Sequence, residues 1–267
     1  MTGVAGVMAL VLAEAVAGVT VFLWVSPLWN EVKRGFFKLL GAILTVVALL
    51  TGLSVDAAVV GRFPSGDVLR STTAAAVVTT FLWTLLLFAR RHEAARVVGW
   101  LSVPSWLAAL AWMGGAGRQS AALALFQLAA GAALLGASMN GLLLGHWYLT
   151  DRKLPRRPIE RANTILLVAV AVAAFAVISA GFTGVETSTA INPLLTAGAL
   201  APWIALGMVA ATALIAALVK AVLKGERASA VQSATGFYYL AVVTAFTAEV
   251  AVKTRFLDTS FGALPTP

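Results

Sequence analysis

Three acids, Glu14, Asp56 and Glu249, lie inside or at the edge of long apolar runs. In a bilayer an ionisable side chain is costly unless it is paired or faces water, so such positions are candidates for moving protons or ions. Glu14 lies ten residues into the first run, near mid-depth, and is the strongest single candidate. Its plainer role is a hydrogen bond to a neighbouring helix, with Gln127 as the partner. Asp56 closes the second run and Glu249 lies nineteen residues into the last, which puts both near one surface with Arg62, Lys253 and Arg255. That group would either pass protons at the mouth of a cavity or form interfacial ion pairs worth little each. Gln127, Asn140, His146 and Tyr148 share a single run and are candidates for lining a cofactor cavity, with helix packing as the alternative. Tyr238 and Tyr239 carry the same two readings. His92 and His146 share a depth and could ligate a b-type haem, but nothing in their spacing adds support. A headgroup-level belt of His146, Trp147 and Tyr148 is the simpler account.

The elements that must hold these residues follow from composition. With 60% hydrophobic and 11% charged residues and a mean hydropathy of +0.93, the chain has the profile of an integral membrane protein. The net charge of +8 sits in short loops between apolar runs, where basic residues set orientation, so no nucleic-acid partner is expected. Cysteine is absent, which removes disulfides, thiolate metal sites and cysteine nucleophiles. There is no phosphate-binding Gly-Lys-Ser/Thr loop, no His-Glu-x-x-His and no Gly-x-Ser-x-Gly. No metal site is expected. Any activity must use the helices themselves or partner chains.

The expected fold is all-α, a single polytopic transmembrane domain over 1–267 with eight spans at about 4–29, 36–55, 71–89, 97–113, 121–149, 163–182, 194–223 and 230–252. No positive charge precedes Lys33, so the first run is expected to stay as a mature helix. Pro202 is a candidate kink in the seventh span, the loop after span six is polar and weakly acidic through Glu186, and the tail from Lys253 onward reads as polar. Of the 19 lysines and arginines, all but Arg62, Arg70, Arg118, Lys253 and Arg255 fall in the turns after odd-numbered spans. The densest set, Arg152, Lys153, Arg156, Arg157 and Arg161, follows the His146-Trp147-Tyr148 belt. This bias predicts both termini outside and a bacterial inner membrane location.

Glu14-Ala15-Val16-Ala17-Gly18 in span one echoes Gln127-Leu128-Ala129-Ala130-Gly131 in span five. Both spans start on the same side and end in Trp near a basic turn, which suits two four-helix halves in parallel orientation.

Leu12-Ala13-Glu14-Ala15-Val16-Ala17-Gly18 with Val19-Thr20-Val21-Phe22 resembles the first helix of the NrfD/DmsC-type quinone-interacting anchor subunits, and Thr247-Ala248-Glu249-Val250-Ala251-Val252 resembles their acid-bearing last helix. The resemblance covers two helices and the topology. Where that family has a His-Leu-Gly-type stretch after span two, this chain has Ser54-Val55-Asp56-Ala57-Ala58. The resemblance implies a haem-free membrane subunit of a respiratory complex, at most quinone-reactive, with iron-sulfur and catalytic subunits as partners beside the lipid bilayer. Glu14, Asp56 and Glu249 would then handle protons, and Trp and Tyr side chains would contact the quinone ring. Two other functions fit the residues: a small-solute or ion transporter with Glu14 as its coupling acid, and a structural or assembly subunit without its own site.

Overall fold

The computed structural model describes residues 1, 3–59, 66–115, 120–151, 153–181, 197–225 and 228–257. Arg62, Arg118, Arg152 and the loop bearing Glu186 lie outside them. Among the described residues there are eight helices long and apolar enough to cross a membrane: α1 (Gly3–Val25), α3 (Arg34–Ala58), α4 (Gly66–Phe88), α5 (His92–Gly114), α6 (Ala121–Thr150), α7 (Arg157–Ser179), α8 (Ala197–Leu223) and α9 (Ala228–Phe256). A one-turn helix, α2 (Leu28–Glu31), follows α1.

The chain breaks at Ser26-Pro27, so the first span stops at Val25 and does not run on to Trp29. Proline lacks the amide hydrogen that the helix would use there and restricts the residue before it. Elsewhere the helices outrun their apolar cores. α5 starts at His92, α7 starts at Arg157 with Pro158 in its first turn, and α9 continues through Lys253 to Phe256. Hydropathy marks the part of a helix in hydrocarbon, whereas hydrogen bonding carries the helix into the headgroup layer. The turn from α4 to α5 is closed by Arg90 in the left-handed region at φ 60°. The Arg91 amide donates to Leu86 O and the Arg90 amide to Leu87 O, the paired bonds of a Schellman ending.

The helices form two rings of four. In the first half α1 packs on α3, α3 on α4, α4 on α5, and α5 returns to α1. In the second half α6, α7, α8 and α9 repeat that cycle, with α9 returning to α6. The halves meet chiefly along α1 and α6, which run parallel, and α9 and α5 flank that seam, α9 touching α1 and α5 touching α6. The two-half architecture expected from the sequence is therefore present.

Its register differs from the pentapeptide echo. That echo equates Gly18 with Gly131, yet the residue opposite Gly18 at the crossing is Gly136: a Cβ on Gly136 would lie 2.3 Å from Gly18 C, and one on Gly18 would lie 1.8 Å from Ala132 O. Backbones this close admit only glycine, the small-residue contact by which membrane helices associate. The halves correspond in topology and not through that sequence match.

Hydroxyls tie neighbouring helices inside each half. Trp106 Nε1 donates to Thr80 Oγ1 at 2.9 Å and Thr45 Oγ1 to Thr84 Oγ1 at 3.0 Å, while the Thr212 and Thr244 hydroxyls sit 2.7 Å apart. These threonines also bond the carbonyl one turn back, at Ala76, Thr80, Met208 and Leu240 respectively for Thr80, Thr84, Thr212 and Thr244.

α1 begins and α9 ends on one face, here the terminal face; the opposite, basic face carries Lys33, Arg34, Arg90, Arg91, Arg156, Arg157 and Arg161. On the basic face two ion pairs span the halves, Arg161 to Glu31 at 2.6 Å and Lys33 to Asp151 at 3.0 Å. Both are partly solvated, so each is worth about 0.2–1 kcal/mol. Replacing Arg161 and Lys33 together by alanine is expected to lower the thermal midpoint in detergent only slightly and to leave the chain monodisperse. A collapse of the midpoint would show that the basic face carries the seam.

Candidate functional site

Glu14 sits halfway along α1, on the side turned towards α6 and α9. Its carboxylate is fully buried, and Lys253 Nζ of α9 lies 2.7 Å from Glu14 Oε1 and 3.1 Å from Glu249 Oε2. The antiparallel run of α1 and α9 sets this register: Gly6 of α1 faces Leu257 of α9, so eight residues further along α1 Glu14 comes level with Glu249. Helical side chains lean towards their own N-terminus. Lys253, one turn beyond Glu249, therefore reaches inward from the terminal face to the depth of the two acids. The (i, i+4) spacing of Glu249 and Lys253 places both on one stripe of α9.

The third wall is Gly131 of α6. A Cβ there would lie 2.6 Å from Glu14 Oε1 and 2.6 Å from Glu249 Oε2, so only a residue without a side chain lets both carboxyls settle on the α6 backbone. The cluster thus binds one half to the other through α1, α6 and α9. Its ammonium faces two acids, so it is neutral with one extra proton and carries one negative charge without it; taking up or releasing a proton changes its charge by a single step. Both acids share the one ammonium, so the two carboxyls and Lys253 act as a single charged unit.

On the other side of the α1–α6 seam, between α1, α5 and α6, lies a groove of about 440 Å³. Ala17, Gly18 and Phe22 form its α1 wall, Leu107 and Leu110 its α5 wall, and Leu128, Ala129 and Ala132 are among the α6 residues that close it. It is apolar and opens sideways towards the lipid. Ala17 and Gly18 follow Glu14 by one helical turn, and Leu128 and Ala132 bracket Gly131.

The remaining sequence candidates scatter. Asp56 is exposed at the terminal end of α3, 3.3 Å from Arg70 Nε, and belongs to a surface ion pair and not to the buried cluster. Gln127 is buried on α6 one turn towards the terminal face from Gly131, and Glu14 takes Lys253 as its partner in the place proposed for that glutamine. Asn140 is buried at the α1–α6 seam and donates from Nδ2 to Val19 O at 3.2 Å, the packing role. His146 and Tyr148 lie at the basic end of α6, fifteen and seventeen residues from Gly131, which is about 22 Å or more along the axis. His146 is exposed, with Nδ1 3.4 Å from the Tyr239 hydroxyl; the Tyr148 hydroxyl donates to Pro155 O. His92 opens α5. Among the described residues no group of three or more His, Cys, Asp or Glu could hold a metal ion.

Sequence reasoning places Lys253 with Glu249 at the membrane surface, and misses its burial and its pairing with Glu14. A lysine just past an apolar run reads as a flanking charge at the membrane surface. The signal that would have placed it was its spacing from Glu249, which predicts one helical stripe. Tyr238 is also fully buried, its ring packed against Gly141 of α6, and its hydroxyl has no partner among the described residues.

Fold and site define a class: a polytopic helical membrane protein of two parallel four-helix halves with a buried carboxyl–ammonium–carboxyl cluster at their junction. No protein-family model, no curated protein and no solved structure matches the chain.

Proposed function

We propose that this chain is a haem-free membrane subunit of an electron-transfer complex, binding a quinone from the bilayer and joined to redox partner subunits in a bacterial inner membrane, with its basic face towards the cytoplasm. The observation that carries the reading is the lateral apolar groove one helical turn from a buried acid cluster. A ligand dissolved in the membrane needs an entrance from lipid, an apolar lining and a proton-handling group close by, since such sites combine apolar walls with a few placed polar groups.

The residues fit that group. Phe22, Leu107, Leu110 and Leu128 would line the ring and tail, and the small Ala17, Gly18 and Ala132 leave the room. A bound quinone would supply two-electron, two-proton redox chemistry at this depth. Glu14, one helical turn from Ala17 and Gly18 on α1, would exchange a proton with the ligand across the α1–α6 seam. Lys253 and Glu249 would balance the charge and relay that proton towards the terminal face, which α9 reaches one turn beyond Lys253. With no cysteine in the chain, iron-sulfur centres held by thiolates would belong to the partners. Asp56, His146 and Tyr148 have no part in this site.

Purification from native membranes in mild detergent tests the proposal, with mass spectrometry of co-eluting chains and quinone measured in an organic extract. The expected result is quinone near one per chain, together with redox subunits, and loss of most of it in Glu14→Gln. A lone, quinone-free chain overturns it.

A second reading rests on the cluster itself, because a charge network joining two halves at mid-membrane is what a transporter that rocks one half against the other would use. Proton-coupled solute uptake by the isolated chain in liposomes, abolished by Glu14→Gln, would favour it.

A further inference from the structure

On the basic face a separate pocket of about 240 Å³ opens between the start of α7 and the end of α8, lined by Glu160, Asn163, Thr164, Lys220, Leu223 and Lys224. Its two walls differ in chemistry. α7 brings a carboxylate, Glu160, and the amide of Asn163, which is only 2% exposed and whose oxygen has no hydrogen-bond partner. The other wall brings Lys220, in the last turn of α8, and Lys224, just past its end, both exposed. None of Glu160, Lys220 and Lys224 forms an ion pair among the described residues. The pocket therefore presents acceptors on one side and cations on the other, without closing on itself. It lies at the ends of two spanning helices, at the depth of lipid headgroups.

We infer that this pocket binds the headgroup of a primary-amine zwitterionic phospholipid, a phosphoethanolamine lipid. The phosphate would sit against Lys220 and Lys224, since ammonium groups bind phosphate as point charges. The lipid's own ammonium would donate to Glu160 and to the orphaned oxygen of Asn163, whose burial without a donor is otherwise unfavourable. A trimethylated choline headgroup has the same charge but no N–H to donate, and a glycerol headgroup has no cation to meet Glu160. The site thus separates lipids by hydrogen-bond donors as well as by charge. This inference is independent of the quinone reading.

Native mass spectrometry of the full chain in detergent, titrated separately with phosphatidylethanolamine, phosphatidylcholine and phosphatidylglycerol, tests it. The ethanolamine lipid is expected to bind about threefold or more tighter than either of the others. Lys220→Gln with Lys224→Gln should weaken it by about tenfold, the scale of two partly solvated charge contacts. Glu160→Gln, a surface change that spares the fold, should remove the preference over the choline lipid while retaining binding at the choline lipid's level; Asn163→Leu should do the same. Equal binding of all three lipids, a preference for the glycerol lipid, or affinities unchanged in these variants would overturn the inference.

Discussion

Replacing Lys253 by methionine should destabilise the protein more than any other single change in the ion cluster. The substitution keeps most of the side-chain volume but leaves Glu14 and Glu249 facing one another with no cation, buried against Gly131. Removing one partner from a buried charge network costs about 3–5 kcal/mol, because the remaining charge stays desolvated and unpaired. Glu14→Gln or Glu249→Gln should cost less, since each leaves Lys253 one carboxylate. The triple variant Glu14→Gln, Lys253→Met, Glu249→Gln removes every charge, and a buried network replaced by neutral groups of similar volume is often near neutral in stability. It should recover most of the loss while failing to retain quinone. Thermal unfolding in detergent, followed by the fraction of monodisperse protein, reads all of these. A Lys253→Met variant as stable as the parent would mean that the cluster does not hold the halves together.

The second large effect is expected at the crossing of α1 and α6. Gly18→Ala would place a methyl 1.8 Å from Ala132 O, and Gly136→Ala would place one 2.3 Å from Gly18 C. Both collisions are with backbone, so no rotamer change relieves them and the helices must separate. Overpacking typically costs about 1–3 kcal/mol, and here each variant is expected at or above the upper end. Separation would also move Gly131 off the carboxyls and widen the groove at Ala17 and Ala132. Both variants should therefore show a lowered midpoint and raised sensitivity of the α1–α6 seam to proteolysis. A Gly207→Ala control in α8, where an added Cβ has nothing within 4 Å, should leave the midpoint unchanged. Gly18→Ala behaving like that control would refute the close crossing.

Hydropathy alone made eight spans and their order legible, because each span must present a long apolar stretch to hydrocarbon. The same rule was blind to helix ends: it stopped span eight at Val252 and left Lys253 in the tail, though the helix continues to Phe256. It also ran span one through Pro27 to Trp29. Glu14 stood out in the sequence because a lone carboxyl in alanine and valine is costly, and the structure gives it the burial that argument assumes. Its partner was not legible, since the pairing depends on the antiparallel register of α1 and α9, a tertiary fact. Asp56 was grouped with Glu249 on depth alone, and depth does not specify which helices are neighbours. The echo between spans one and five anticipated the two halves, yet its five-residue offset from the Gly18–Gly136 crossing shows that alanine-rich helices match in more than one register. The groove was illegible for a related reason: its small residues are the same ones that elsewhere let helices touch.

The claim that the groove beside Glu14 receives a quinone is tested most directly by photolabelling. The protein as isolated from native membranes, in lipid nanodiscs, would be illuminated with an azido-quinone and the labelled peptides mapped by mass spectrometry. The account predicts label on 17–22 of α1, 107–111 of α5 and 125–133 of α6, displaced by excess unlabelled quinone and lost in Glu14→Gln. Labelling confined to other helices, or labelling of these segments that excess quinone does not displace, would contradict it.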